Sequence, residues 1–305
     1  MYKIICFLFL LLPFTQGYAA PCSGKKAGIS HCEGAQFVCN DGSYSQSTKD
    51  CSRYFQNKSQ QPDIKPIPER LVSKQIVQPE NKSEQYGTIL RLDYPGFTLW
   101  LDCSKRGAVK FQYVAQRDTG DIKRYDRFFL DPEVPSDCQQ KTADAYGMQF
   151  DRGHQVPANH LDSSPDAIKA TNTMTNILPQ AANMNRGAWL QTEEIIECYR
   201  DIDELLVMGG AIWSDHSSEE FFRSHGVKTP DAFWKVVIRG TGQDERVIAW
   251  IVPNTQEATR KNLDRYLVSV ADIEKATGEK LPVADYVKQE KLQASWMIPK
   301  GCNKG

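Results

Sequence analysis

Apolar positions along residues 86–116 fall in short runs separated by turn residues. The stretch "YGTILRLDYPGFTLWLDC" (86–103) predicts two strands joined at Pro95-Gly96, a dipeptide suited to the centre of a tight turn. "VKFQYVAQ" (109–116) alternates apolar and polar residues, as a strand with one buried face does. "ELLVMGGAIW" (204–213) is apolar almost throughout and predicts a central strand, and "FWKVVIRG" with "RVIAWIVP" predicts a further pair. Helical patterning is sparser and covers 183–200, 256–267 and 269–278. The last is the best marked: Ser269 can cap it, Asp272 stands where a capping box needs an acid, and Gly278 suits the position past its end. Strands first, then helices interleaved with further strands, predict an α+β domain with a mainly antiparallel central sheet flanked by helices. We place it at residues 85–299, followed by a short tail, 300–305.

The first part of the chain is patterned differently. Residues 1–20 carry Lys3, an apolar run from Ile4 to Phe14 and then small residues, which reads as a secretory signal peptide. No later run approaches the ~20 apolar residues that a membrane span needs. Residues 21–51 are glycine-rich and cysteine-dense, too short to bury a useful core without cross-links, and "NDGS" (40–43) predicts a hairpin turn. Residues 52–84 lose apolar periodicity and read as a linker, with Asn-x-Ser sequons at Asn57 and Asn81.

Composition changes this picture in two places. A net charge of -1 over 305 residues argues against a generally basic nucleic-acid coat, yet leaves room for a locally basic cleft. Of nine cysteines, Cys6 lies in the expected leader. The remaining eight predict disulfides, two among Cys22, Cys32, Cys39 and Cys51 and two among Cys103, Cys138, Cys198 and Cys302. The absence of any C-x-x-C pair weakens a zinc reading. A secreted or periplasmic location follows.

Candidate chemistry centres on "FDRGHQVPANH" (150–160). His154 there can be a structural histidine, a metal ligand or a base. Downstream, Asn185 and Glu193 are eight residues apart, which on a helix gives similar faces with backbones ~12 Å apart. An amide oxygen and a carboxylate on one face can address a hard, oxygen-loving cation.

"DRGHQVPA", "NILPQ" and "NRGAWLQTE", in that order, resemble the motifs of the DNA/RNA non-specific endonucleases, the sugar-non-specific nucleases with a ββα-metal finger. "FWKVVI" (233–238) and "IEKATGEKLP" (273–282) resemble the family's closing segments. The resemblance covers about residues 85–290 and implies an endonuclease acting on DNA and RNA that leaves 5′-phosphate ends. It implies His154 as general base, Asn185 as direct ligand of one Mg²⁺ (Mn²⁺ as a substitute), and Glu193 holding a metal-bound water. It further implies that Asn176 orients the site and that Arg152 and Arg127 contact the phosphate. The chain departs from the pattern four residues beyond Glu193, where the family often has arginine and this sequence has Glu197, with Arg200 the nearest basic residue.

Other readings stand beside these. Asp151 ties down its turn, Trp189 belongs to the core, Glu194 is a solvated carboxylate, His160 is incidental, and His216 and His225 are exposed. A nucleic-acid- or surface-binding protein with an inactive nuclease domain is the alternative from another class. A phosphodiesterase or phosphatase acting on small esters is a third. A homodimer is compatible with the sequence, and neither a protein partner nor an inhibitor is indicated by it.

Overall fold

A computed structural model describes residue 22 and residues 29–39, 43–51, 88–214 and 220–304. The expected leader, the linker with both sequons, and His216 lie outside the described residues. The chain divides into two units, 1–72 and 73–305.

In the first unit, β1 (Ile29–Glu33) and β2 (Gln36–Cys39) form an antiparallel pair. Of the expected turn at 40–43 only Ser43 lies within the described residues; the Cys39 amide donates to the Ser43 carbonyl (2.8 Å) and the Ser45 amide to the Phe37 carbonyl (2.9 Å). Cys22 pairs with Cys39, and Cys51 is also disulfide-bonded. The core here is Phe37 packed among cysteines, which is why cross-links rather than apolar burial must hold it.

The second unit is built on a six-stranded antiparallel sheet. Its strands are β3 (Ile89–Tyr94), β4 (Phe97–Asp102), β5 (Gly107–Ala115), β8 (Leu205–Ile212), β11 (Ala232–Arg239) and β12 (Arg246–Pro253). They lie in the order β12-β11-β8-β5-β4-β3. The strand read from the continuous apolar run at 204–213 is central and pairs with both β5 and β11. β11 shows why such runs lack alternation: both faces are covered. Phe233 and Val237 join the larger core, whereas Trp234, Val236 and Ile238 join a second core on the opposite face. That second core is closed by α4 (Val270–Thr277), with the expected Ser269–Asp272 capping box and Gly278 in the left-handed region at φ 73°.

Two further strand pairs sit apart from this sheet, one of them the short β9 (Phe221–Phe222) with β10 (Val227–Lys228). β6 (Phe150–His154) pairs antiparallel with β7 (Ile177–Ala181), setting His154 opposite Ile177. Between them lies α1 (Pro165–Ala170), capped by Ser164. β7 runs directly into α2 (Ala182–Met184), a π-helical turn Asn185–Trp189, and α3 (Leu190–Arg200), which together make the ββα unit. The larger core fixes it to the sheet through Trp189, Ile195 and Ile196.

One expected helix differs. Residues 256–267 form 3₁₀ turns over Arg260–Tyr266 rather than an α-helix. The Ala258 carbonyl accepts from the Ala188 amide (3.1 Å), so it serves the neighbouring helix instead of an i,i+4 bond of its own. The backbone at Thr259 and Arg260 also lies only 3.0 Å from where a Cβ on Gly187 would stand. Close backbone packing has overridden helical propensity there.

Candidate active site

The DRGH segment folds as β6 because β7 accepts it at very close range. A Cβ on Gly153 would meet the Gln180 side chain at 2.2 Å, so only glycine lets the two strands pair in this register. The next residue, His154, is buried at 7% exposure and lines a cleft of about 180 Å³. Arg124, Arg152, Asn185 and Glu193 line the same cleft.

Hydrogen bonding sets the tautomer of His154. Both amide hydrogens of Asn172 are taken, donated to the Tyr125 and Arg127 carbonyls. Its Oδ1 is therefore the atom that faces the ring, and His154 Nε2 donates to it at 2.8 Å. Nδ1 is left without a proton, and the Arg124 guanidinium donates toward it at 3.3 Å. Burial first, and then Arg124, push the imidazole down from its ordinary value to about 4, with Arg152 adding to this and Asn172 opposing it. A neutral imidazole with an unprotonated Nδ1 is the form a general base needs.

Asp151 does more than tie down its turn. Its carboxylate accepts from Asn185 Nδ2 (2.9 Å) and, through both oxygens, from Arg186 (2.9 and 2.6 Å). Holding the amide nitrogen turns the Asn185 carbonyl oxygen away from Asp151 and leaves it available to a ligand. Asn185 opens the π turn, a helix irregularity of the kind that often sits at functional sites. From the same helix comes Glu193, whose side chain is 17% exposed and 4.0 Å from the ammonium of Lys235. Burial holds its carboxyl above the usual carboxylate range, with Lys235 and then Arg124 pulling it back.

Lys235 is an unexpected participant. It is fully buried in mid-strand, donates to Thr192 Oγ1 (2.8 Å) and lies 3.7 Å over the Trp189 ring. Burial pushes its amine down to about 8, opposed by Glu193. A lone lysine inside an apolar strand is the signal that marks it. Asn172 carries no such signal, because its role comes from the fold bringing it under the ring.

The other expected residues are placed as follows. Arg152 lines the cleft, donates to the Ala143 carbonyl (2.8 Å) and stacks 4.0 Å over Phe128. Asn176 is fully buried and clamps the chain just after His154: it accepts from the Val156 amide (3.0 Å) and donates to the Val156 and Thr171 carbonyls (2.9 and 2.8 Å). Arg127 is exposed and is not among the cleft residues; Arg124, three residues earlier, is. Trp189 is core at 1% exposure.

Three expectations are corrected. His160 is not incidental but buried against the cleft, bonded to the Tyr113 hydroxyl (2.6 Å) and 3.4 Å from Glu197. His225 is buried at 1%, held by Ser224 and the Asp144 carbonyl. Glu194 is not solvated: Arg260 binds both its oxygens at 2.6 Å. As for Glu197, it is bound by Arg200 and faces the cleft, and burial raises its carboxyl to about 7.

No group of three or more His, Cys, Asp or Glu side chains able to cage a metal occurs among the described residues. The described residues therefore do not fit a tightly caged metal. One free amide oxygen and one carboxylate in a single cleft do fit a cation that keeps most of its water, as Mg²⁺ does.

Residues 73–290 match the model of the DNA/RNA non-specific endonuclease family. The chain belongs to that family. A second model, YdcA, matches residues 22–53. Among its relatives, nuclease C1 of Cunninghamella echinulata var. echinulata is 28% identical, across 52% of this chain and 68% of the relative. Mitochondrial endonuclease G of Homo sapiens is 29% identical, across 60% of this chain and 66% of the relative. Mitochondrial nuclease EXOG of Mus musculus is 27% identical, and the matched stretch spans only 46% of its length. A crystal structure of an EndoG/EndoGI complex matches the fold with a TM-score of 0.51 at 18% identity, covering 62% of this chain and 83% of the other.

Proposed function

We propose that this chain is an exported endonuclease that hydrolyses phosphodiester bonds of DNA and RNA with little sequence preference. The observation that carries the proposal is a neutral imidazole, its Nδ1 lone pair turned into a cleft that also holds the free oxygen of Asn185, the Glu193 carboxylate and two arginines. In this reading His154 Nδ1 takes a proton from the attacking water as the new P–O bond forms. The P–O3′ bond breaks, the departing O3′ takes a proton from solvent water to become a 3′-hydroxyl, and the attacking oxygen stays on the new 5′-phosphate. The imidazolium so formed keeps its Nε2–H on Asn172, which holds the ring in place through the step.

Arg124 and Arg152 bind the phosphate and offset its added negative charge in the transition state. Here Arg124 takes the place that the motif comparison gave to Arg127. Its contact with Nδ1 must yield when water and phosphate enter. Asn185 and Glu193 would hold Mg²⁺, and Asn176 fixes the backbone beside the base. The bound ion would supply Lewis-acid stabilisation of the phosphate and the leaving oxygen. Disulfides support a life in an oxidising compartment, and with it export by residues 1–20. The solved EndoG/EndoGI complex makes a protein inhibitor worth a direct binding assay.

Wild-type and His154→Ala protein, incubated with plasmid and single-stranded RNA, test the proposal. Cleavage of both polymers should fall by about 10²–10⁴-fold in the variant. Cleavage of small phosphate esters alone would point to another phosphodiesterase.

A further inference from the structure

The last described residues lie beyond the stretch that matches the nuclease family, yet Lys304 lines the same cleft as His154. What carries it there is a covalent bond. Cys302 is joined to Cys198 of α3, with the two Cα atoms 5.6 Å apart. Cys198 follows Glu197 directly and stands five residues beyond Glu193, so the disulfide pins the tail to the helix that forms one wall of the cleft.

Charge on that wall gives the tail a purpose. Glu193, Glu194 and Glu197 all face the cleft from α3, and Lys235 and Arg200 offset the first and the last of them. Arg260 already binds both oxygens of Glu194, and Lys304 reaches the same carboxylate at 3.3 Å while remaining 49% exposed. Two cations thus share one anion, leaving a net positive charge on a wall whose other two carboxylates are each matched by one cation. The lysine end of this pair is open to solvent and Arg260 alone still matches Glu194, so a phosphate can draw the ammonium away without leaving the carboxylate unpaired. Arg186, which also lines the cleft, is already engaged by Asp151.

We propose that the C-terminal tail, strapped to α3 by Cys198–Cys302, is part of the nucleic-acid-binding surface, with Lys304 contacting a backbone phosphate next to the scissile one. This rests on reading the cleft as a phosphodiester site. The contact is to phosphate, so it adds affinity without sequence preference.

The test measures binding of a fluorescein-labelled duplex by anisotropy across a salt series, in EDTA, with full-length His154→Ala protein as the parent. Adding Lys304→Gln should reduce the slope of log K against log salt by about 0.9, the value of one lost phosphate contact. The affinity lost between about 50 and 200 mM salt should then shrink by about threefold. Cys198→Ser/Cys302→Ser should give the same reduction although Lys304 is still present. Should that variant fold poorly, deletion of 303–305 serves in its place. Lys300→Gln, an equal charge change on the same tail, should leave the slope unmoved. A slope that Lys304→Gln does not change, or changes no more than Lys300→Gln, overturns the proposal. Plasmid cleavage by the wild-type chain separates the two failures: cleavage with an unmoved slope sinks the tail contact alone, whereas neither cleavage nor binding sinks the nuclease reading and the tail with it.

Discussion

Two side chains decide what His154 can do, and they act on opposite nitrogens. Asn172 takes the proton of Nε2, and Arg124 faces the lone pair of Nδ1. The imidazole of the folded chain is held near 4, well below the unfolded value of 6.5. Between those values the unfolded state binds the proton and the native state does not. Stability from this group is therefore complete above about pH 6.5 and is lost as pH falls toward 4, by about 3 kcal/mol at most. Replacing Arg124 by methionine should raise the His154 titration midpoint, followed by NMR of the ring protons. It will not reach 6.5, because burial is the larger cause and remains. A midpoint that does not rise would show that Arg124 exerts no field on the base. At this scale sequence motifs marked His154, Asn185 and Glu193, which the fold brings to one cleft. The sequence was silent on Asn172, which lies eighteen positions from the ring it orients, and it pointed to Arg127 where the fold brings Arg124 into the cleft.

At the scale of elements, the β6–β7–α2–α3 unit is what turns scattered motifs into one site. The pairing of β6 with β7 puts Asp151 where it can hold Asn185, although the two are 34 residues apart. Asp151→Ala should free the Asn185 amide and weaken Mg²⁺ or Mn²⁺ binding by about 10–100-fold, measured by calorimetry. Unchanged affinity would mean that Asn185 needs no such support. Gly153→Ala should cost about 1–3 kcal/mol and lower the thermal midpoint by several degrees, since its methyl group would collide with Gln180. A midpoint within a degree of wild type would show that the two strands can move apart freely. Strands were legible because their apolar runs and turn residues are local signals, and so was α4, with its capping box and Gly278. The segment at 256–267 was misread because its carbonyl at Ala258 is claimed by another element, which no local pattern reports.

Across the whole molecule, charge is nearly balanced, and what matters is where it is put. Arg124, Arg152 and Lys304 face the cleft, and Lys235 backs Glu193 from inside the sheet. None of that is visible in a net charge of -1. Cysteine counting did foresee bonds within each group, and the fold pairs Cys22 with Cys39, Cys103 with Cys138 and Cys198 with Cys302. Which cysteines join was not legible, because pairing is decided by positions that only the folded chain brings together.

The central claim, a metal-assisted nuclease whose base is His154, is tested most directly by one assay. Oxidised protein lacking residues 1–20 is incubated with supercoiled plasmid and with single-stranded RNA, in Mg²⁺ and in EDTA, beside the His154→Ala variant. Degradation of both polymers, abolished by EDTA and by the substitution, is the predicted result. Folded wild-type protein that binds both polymers yet leaves them intact in Mg²⁺, or a His154→Ala variant that cuts as fast as wild type, would contradict it.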